Sequence, residues 1–146
     1  MGSGITMLNF VNSFELQAIN TDKQFIDFIH DAIPQEESIN LGFSLEIGMN
    51  DDKENNECFL MIGCKSQVND IPEENKNPLC LEIVITYRFK IKEPDYFFGE
   101  SEEARAKFLA NVVYLDFRRK LALAFASVGL SGIKFPLNIE KLKSMS

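Results

Sequence analysis

From Leu79 to Ile91 the sequence alternates without a break. Leu79, Leu81, Ile83, Ile85, Tyr87, Phe89 and Ile91 are apolar or aromatic, and Cys80, Glu82, Val84, Thr86, Arg88 and Lys90 stand between them. A strand turns successive side chains to opposite faces, so a run of this length with period two specifies a strand with one face against a core. The segments upstream support it. Ile39, Leu41, Phe43, Leu45 and Ile47 alternate with Asn40, Gly42, Ser44, Glu46 and Gly48, and Cys58 to Val68 is apolar on both faces around Phe59-Leu60-Met61-Ile62. The links between these three strands are polar and short: Asn50 to Glu57, then a loop holding Pro72 and Pro78. Such links join antiparallel neighbours, so a meander is expected, without crossover helices.

The remaining segments supply one more strand and the helices. Leu8 to Ile19 reads as a strand, and Thr21 and Asp22 as the cap of a short helix carrying Phe25, Ile26, Phe28, Ile29 and Ile33, stopped by Pro34. After Pro94 and the cluster Tyr96-Phe97-Phe98, Ser101 opens a long helix to Val128, with Glu102 and Glu103 at its positive end. Gly129 and Gly132 close it, and Ile139 to Met145 forms a last short helix. The expected fold class is α+β: a four-stranded antiparallel sheet covered by one long and one short C-terminal helix. A chain of 146 residues suits a single domain, with residues 1–7, beginning Met1-Gly2-Ser3-Gly4, expected to be a flexible leader.

Charge and composition narrow the function. A net charge of -7, with no basic run longer than Arg118-Arg119-Lys120, opposes the phosphate neutralisation on which nucleic-acid binding depends. It opposes anionic lipid as well. The N-terminus has no secretory pattern, and Leu121 to Ile133 is too short to span a bilayer, so a cytoplasmic protein is expected. Cys58, Cys64 and Cys80 form no C-x-x-C and each falls in a strand, which reads as three small buried hydrophobes.

No catalytic set assembles on the sequence. His30 is the lone histidine and has only Asp31 beside it; the pairs Glu36-Glu37, Asp51-Asp52, Glu73-Glu74 and Glu102-Glu103 read as solvated surface charge. The loop from Asp51 lacks the glycine and glutamate of a calcium loop, and no phosphate loop is present. No enzyme activity, metal or cofactor is expected.

Two apolar features remain. Three adjacent aromatics cannot all face one core, so Tyr96, Phe97 and Phe98 are candidate contacts for a bound client, joined by Phe59 and Met61 of the two-faced strand. The long helix carries two apolar stripes, where one sheet needs one. Leu109, Val113, Phe117, Leu121, Ala124 or Phe125, and Val128 make the first. Phe108, Val112, Leu115, Ala122 and Ala126, with Arg119 on the same side, make the second and are read as a subunit interface.

The C-terminal part also carries a family resemblance. Asn111-Val112-Val113-Tyr114-Leu115-Asp116-Phe117-Arg118 resembles the start of the long helix of the export chaperone SecB, where an Asn precedes an Arg by seven residues. Gly129 resembles the glycine that ends that helix, and Pro136-Leu137-Asn138-Ile139-Glu140-Lys141-Leu142 is similar to the family's Pro-x-Asn-apolar-acidic-x-Leu ending. The order of strands and helices agrees over most of the chain. The family's proline within the helix is replaced by Leu115-Asp116, the spacing from Arg118 to Gly129 is one residue longer, and the link to Pro136 is shorter. The resemblance implies a tetramer built as a pair of dimers through the long helix, and an ATP-independent holdase for unfolded polypeptides. Its alternative is a dedicated chaperone of one protein, of toxin–antitoxin or phage type. SecB chains usually continue into a tail that contacts the SecA motor, and this sequence ends at Ser146, so the resemblance carries client binding further than delivery to SecA.

Overall fold

The computed structural model describes residues 8–29 and 40–144. Strands β1 (Phe14–Phe28), β2 (Leu41–Asp52), β3 (Glu57–Val68) and β4 (Leu79–Ile91) form one antiparallel sheet in the order β1-β4-β3-β2. The alternating run is β4, at the centre, and Leu79, Leu81, Ile83, Ile85, Tyr87, Phe89 and Ile91 are all buried on one face. β2, β3 and β4 make the expected meander. β1 adds to the far side of β4, so consecutive strands β1 and β2 stand at opposite edges. Helices α1 (Pro94–Phe98), α2 (Glu102–Ala126) and α3 (Ile139–Lys143) follow the sheet, and α2 lies across β2, β3 and β4.

The short helix expected after Thr21 is absent: residues 21–28 continue β1 and pair with β4 from Thr21↔Ile85 to Phe28↔Leu79. Two register shifts, between Leu16 and Ala18 and between Thr21 and Lys23, insert an extra residue each. A bulge reverses which face the following residues take, so the period of two is lost and Phe25-Ile26-Phe28-Ile29 mimics a helical face. Asp22, expected as a cap, accepts a hydrogen bond from the Thr86 hydroxyl on the neighbouring strand. The expected first strand likewise begins later than Leu8, after a helical turn over residues 8–11. Ile33, Pro34, His30, Asp31, Glu36, Glu37 and Ile39 lie outside the described residues.

The polar loop after β2 is shorter than expected, because Asn50, Asp51 and Asp52 continue the strand. Asp52 accepts from the Asn55 backbone and side chain, and Asn56 takes the left-handed conformation (φ 52°) that asparagine tolerates. Ser101 caps α2 as expected, its side chain accepting from the Ala104 amide. At the other end the Leu130 amide reaches Phe125 O and the Gly129 amide reaches Ala126 O, with Gly129 at φ 87°, a glycine-dependent closing motif. Asn138 caps α3 through the Lys141 amide, and the helix ends at Lys143.

Candidate functional site

The end of the sheet nearest the start of α2 is built from aromatic rings. Phe97 of α1 is fully buried and stacks on Phe10 at 5.6 Å, with Phe14 of β1 edge-on at 5.7 Å and Phe98 at 5.1 Å. Phe108 of α2 meets both Phe10 and Phe14. The three adjacent aromatics are therefore divided. Phe97 is core, Phe98 is half-buried beneath the Lys53 ammonium, and Tyr96 is 50% exposed.

A buried cation holds this end together. The Arg105 guanidinium lies over the Phe97 and Phe98 rings at 5.1 and 5.4 Å, donates to Glu100 O and pairs with Asp51 at 2.8 Å. A charge removed from water needs both a counter-ion and hydrogen bonds, and Arg105 has them. Asp51 is thus no solvated surface acid; it continues the inward row Phe43, Leu45, Ile47 and Met49 of β2, and that alternation was the sequence signal for it. Asp51 also sits beside Cys58, whose thiol burial and the nearby carboxylate push up to about 12.

Phe59 and Met61 do not join the aromatic end. In register with Arg88 and Thr86 on β4, they lie on the sheet face away from the helices, half-buried. Cross-strand ion pairs share that face: Arg88 with Glu57 at 3.3 Å, and Lys23 with Glu82 at 2.5 Å. Cys80 also belongs there and is exposed, contrary to expectation, because even-numbered positions of β4 point away from the core. Cys64 is buried, and its thiol is pushed up to about 12 by desolvation. The two buried thiols are therefore protonated at neutral pH and are poor nucleophiles.

The outward side of α2 is apolar and uncovered among the described residues. Val112, Leu115, Arg119, Ala122 and Ala126 fall three and four residues apart, the spacing by which one helix can pack on another. Leu115 is 62% exposed, Val112 49%, and Leu123, which the sequence reading missed, 58%. Leu16 and Ile19 on the helix-facing side of β1 are exposed as well. Between them Asp116 accepts a 2.9 Å hydrogen bond from the Tyr87 hydroxyl and pairs with Arg119 and Lys120.

A recess of about 570 Å³ opens where β3 and β4 part, lined by Phe43, Lys65, Ser66, Leu81 and Glu82. Asn77 bridges the gap, accepting from the Val68 amide and donating to the Val68 carbonyl. The Ser66 hydroxyl is buried there without a hydrogen-bond partner among the described residues. Among these residues no group of three or more His, Cys, Asp or Glu is placed to hold a metal ion, and no helix is long and apolar enough to cross a membrane.

No family model matches the chain, and no curated protein matches it in sequence. A solved structure matches it in fold. The SecB-like chaperone Rv1957 of Mycobacterium tuberculosis, solved with a ChAD peptide from the HigA1 antitoxin, superposes with a TM-score of 0.66 over 90% of this chain and 96% of its own, at 9% identity. The fold is SecB-like. A Streptococcus agalactiae protein of unknown function aligns over 84% of this chain and 96% of its own at 12% identity, with a TM-score of 0.41.

Proposed function

We propose that this chain is an ATP-independent chaperone that holds unfolded or partly folded polypeptide, as SecB-like proteins do. The observation that carries the reading is the SecB-like fold, with Tyr96 exposed and Phe98, Phe59 and Met61 half-buried at its surface. Holding requires no catalytic residue. Each large client side chain that leaves water contributes roughly 1.5–3 kcal/mol, so a few tolerant contacts give affinity without a sequence code. A net charge of -7 favours clients with basic segments.

The row Val112, Leu115, Arg119, Ala122 and Ala126 is assigned to subunit contact, as a tetramer built from two dimers. Tyr96 and Phe98, with Phe59 and Met61, are assigned to client contact, and Phe97 supports them from the core. A second reading, a chaperone dedicated to one protein, is favoured by the neighbour's binding of an antitoxin peptide.

Suppression of aggregation of a chemically denatured model protein tests the first reading. A protein that suppresses nothing at equimolar subunits is not a holdase. Pull-downs then separate the two: many unfolded clients support the general chaperone, and one stoichiometric partner supports the dedicated one. Co-purification with SecA would extend the role to export.

A further inference from the structure

The turn that precedes β1 is fastened to the molecule by one buried side chain. The hydrogen bonds of residues 8–12 stay local: the Asn12 amide donates to Leu8 O, and the Ser13 amide and hydroxyl donate to Phe10 O. Among the described residues, backbone bonds to the rest of the chain begin at Ser13, whose carbonyl accepts from the Lys92 and Glu93 amides. Leu8 and Val11 are exposed, and of residues 8–12 Phe10 alone is buried. A single helical turn is unstable by itself, since ordering it costs more than its few bonds return, so the seat of the Phe10 ring holds it in place.

That seat is built without the turn. Phe97 of α1 lies flat against the Phe10 ring, 5.6 Å away with 7° between the planes. Phe108 of α2 stands edge-on at 5.2 Å, and Phe14 of β1 tilts against it at 5.6 Å. Each wall has its own support. Phe14 packs edge-on against Phe89 of β4, Phe97 lies under the Arg105 guanidinium, and Phe14 and Phe108 meet at 6.0 Å. Withdrawal of Phe10 therefore leaves an aromatic slot, with half-buried Phe98 and exposed Tyr96 beside it on α1. Flat and edge-on ring contacts favour an aromatic occupant over an aliphatic one of similar area.

We infer that residues 8–12 are an internal competitor: Phe10 keeps the aromatic slot shut, and an aromatic ring of a client opens it by taking Phe10's place. This deepens the holdase reading and rests on it. Burial of one ring favours the shut form and the ordering of the turn opposes it, so the two forms lie close in free energy. A client meets only the open fraction, and its apparent affinity falls in that proportion. The turn thus screens clients. Segments that expose aromatic rings displace it, and chains that have buried theirs do not.

The test measures fluorescence anisotropy of a short labelled glycine–serine peptide carrying two phenylalanines, against the full chain. Phe10→Ser empties the slot and should tighten binding about tenfold. Asn12→Pro keeps the ring but removes the amide that closes the turn and drives Val11 out of helical geometry, so it should tighten binding about threefold. A leucine version of the peptide should bind Phe10→Ser about fivefold more weakly than the phenylalanine version. Hydrogen exchange on the wild-type chain reads the displacement itself: saturating peptide should speed the Asn12 and Ser13 amides about tenfold and leave the β4 amides unchanged. Equal or weaker binding by Asn12→Pro, or turn amides that keep their rate with peptide bound, overturns the inference whether or not Phe10→Ser folds. So does a peptide that binds neither wild type nor Asn12→Pro while the chain still suppresses aggregation of a denatured protein, a result that leaves the holdase reading standing. A chain that captures neither overturns both.

Discussion

The two apolar sides of α2 are alike in composition and opposite in fate. Leu109, Val113, Phe117, Leu121 and Phe125 are buried against the sheet and the loop after the helix. Val112, Leu115 and Leu123, on the same helix, stand open to solvent. Helix propensity cannot tell the two sides apart, since leucine and valine serve both. The difference lies in what the rest of the chain supplies: one sheet face covers one stripe. The second stripe is surface that the chain has made apolar without covering it, and monomeric proteins rarely keep such surface without a use.

The comparison breaks if the two sides respond alike to mutation. Phe117→Ala should cost about 3–5 kcal/mol, because a fully buried ring leaves a cavity that the surrounding core only partly fills. Arg105→Ala should cost about as much, since it strands the Asp51 carboxylate in a largely buried site. Leu115→Asp with Ala122→Asp should leave the subunit's far-ultraviolet circular dichroism unchanged, and light scattering behind a sizing column should report dimers or monomers in place of tetramers. Several kcal/mol per interface is the expected loss, from charge placed unpaired in a seam. A wild-type chain that is monomeric at micromolar concentration would remove the subunit role of the outward row.

The aromatic end sharpens the same contrast within three residues. Phe97→Ser should cost several kcal/mol in urea unfolding, whereas Tyr96→Ser should stay within about 1 kcal/mol. If Tyr96 and Phe98 contact clients, Tyr96→Ser should weaken capture of a denatured protein at unchanged stability. A Tyr96→Ser chain that holds clients as well as wild type would confine this cluster to a structural part.

What the sequence made legible follows from the same physics. The β4 alternation, the Ser101 cap and the glycine closure at Gly129 are local signals, and each appears in the structure where it was expected. The second half of β1 was illegible because the bulges at Gln17 and Asp22 erase the period that identifies a strand, and only pairing with β4 restores it. The division of Tyr96, Phe97 and Phe98 depends on Phe10 and Phe14, distant in sequence and close only after folding. Asp51 could have been read inward from the β2 alternation, yet its partner Arg105 lies 54 residues away and no local pattern connects them. The outward stripe was visible from spacing, though Leu123, four residues after Arg119 and three before Ala126, escaped it.

The smallest expected effect lies on the border between the two sides of α2, at Asp116. Burial by itself raises its carboxyl, but hydrogen bonds from the Lys120 ammonium and the Tyr87 hydroxyl, with the charge of Lys120, outweigh that and hold it below the usual aspartate value. A carboxylate depressed in the folded state stabilises fully above its unfolded value, about 4, and that stabilisation is lost as pH falls through the folded value. The stability difference between wild type and Asp116→Asn should therefore be constant near neutrality and shrink below about pH 4. Tyr87→Phe should remove one hydrogen bond to the carboxylate, about 0.5–1.5 kcal/mol, while sparing the ring that fills the core. Urea unfolding at fixed protein concentration from pH 7 to pH 2.5 measures both. If the Asp116→Asn difference persists unchanged at the acid end, the carboxylate charge contributes nothing, and Asp116 belongs with the outward row, as a surface group beside Arg119 rather than a tie between α2 and β4.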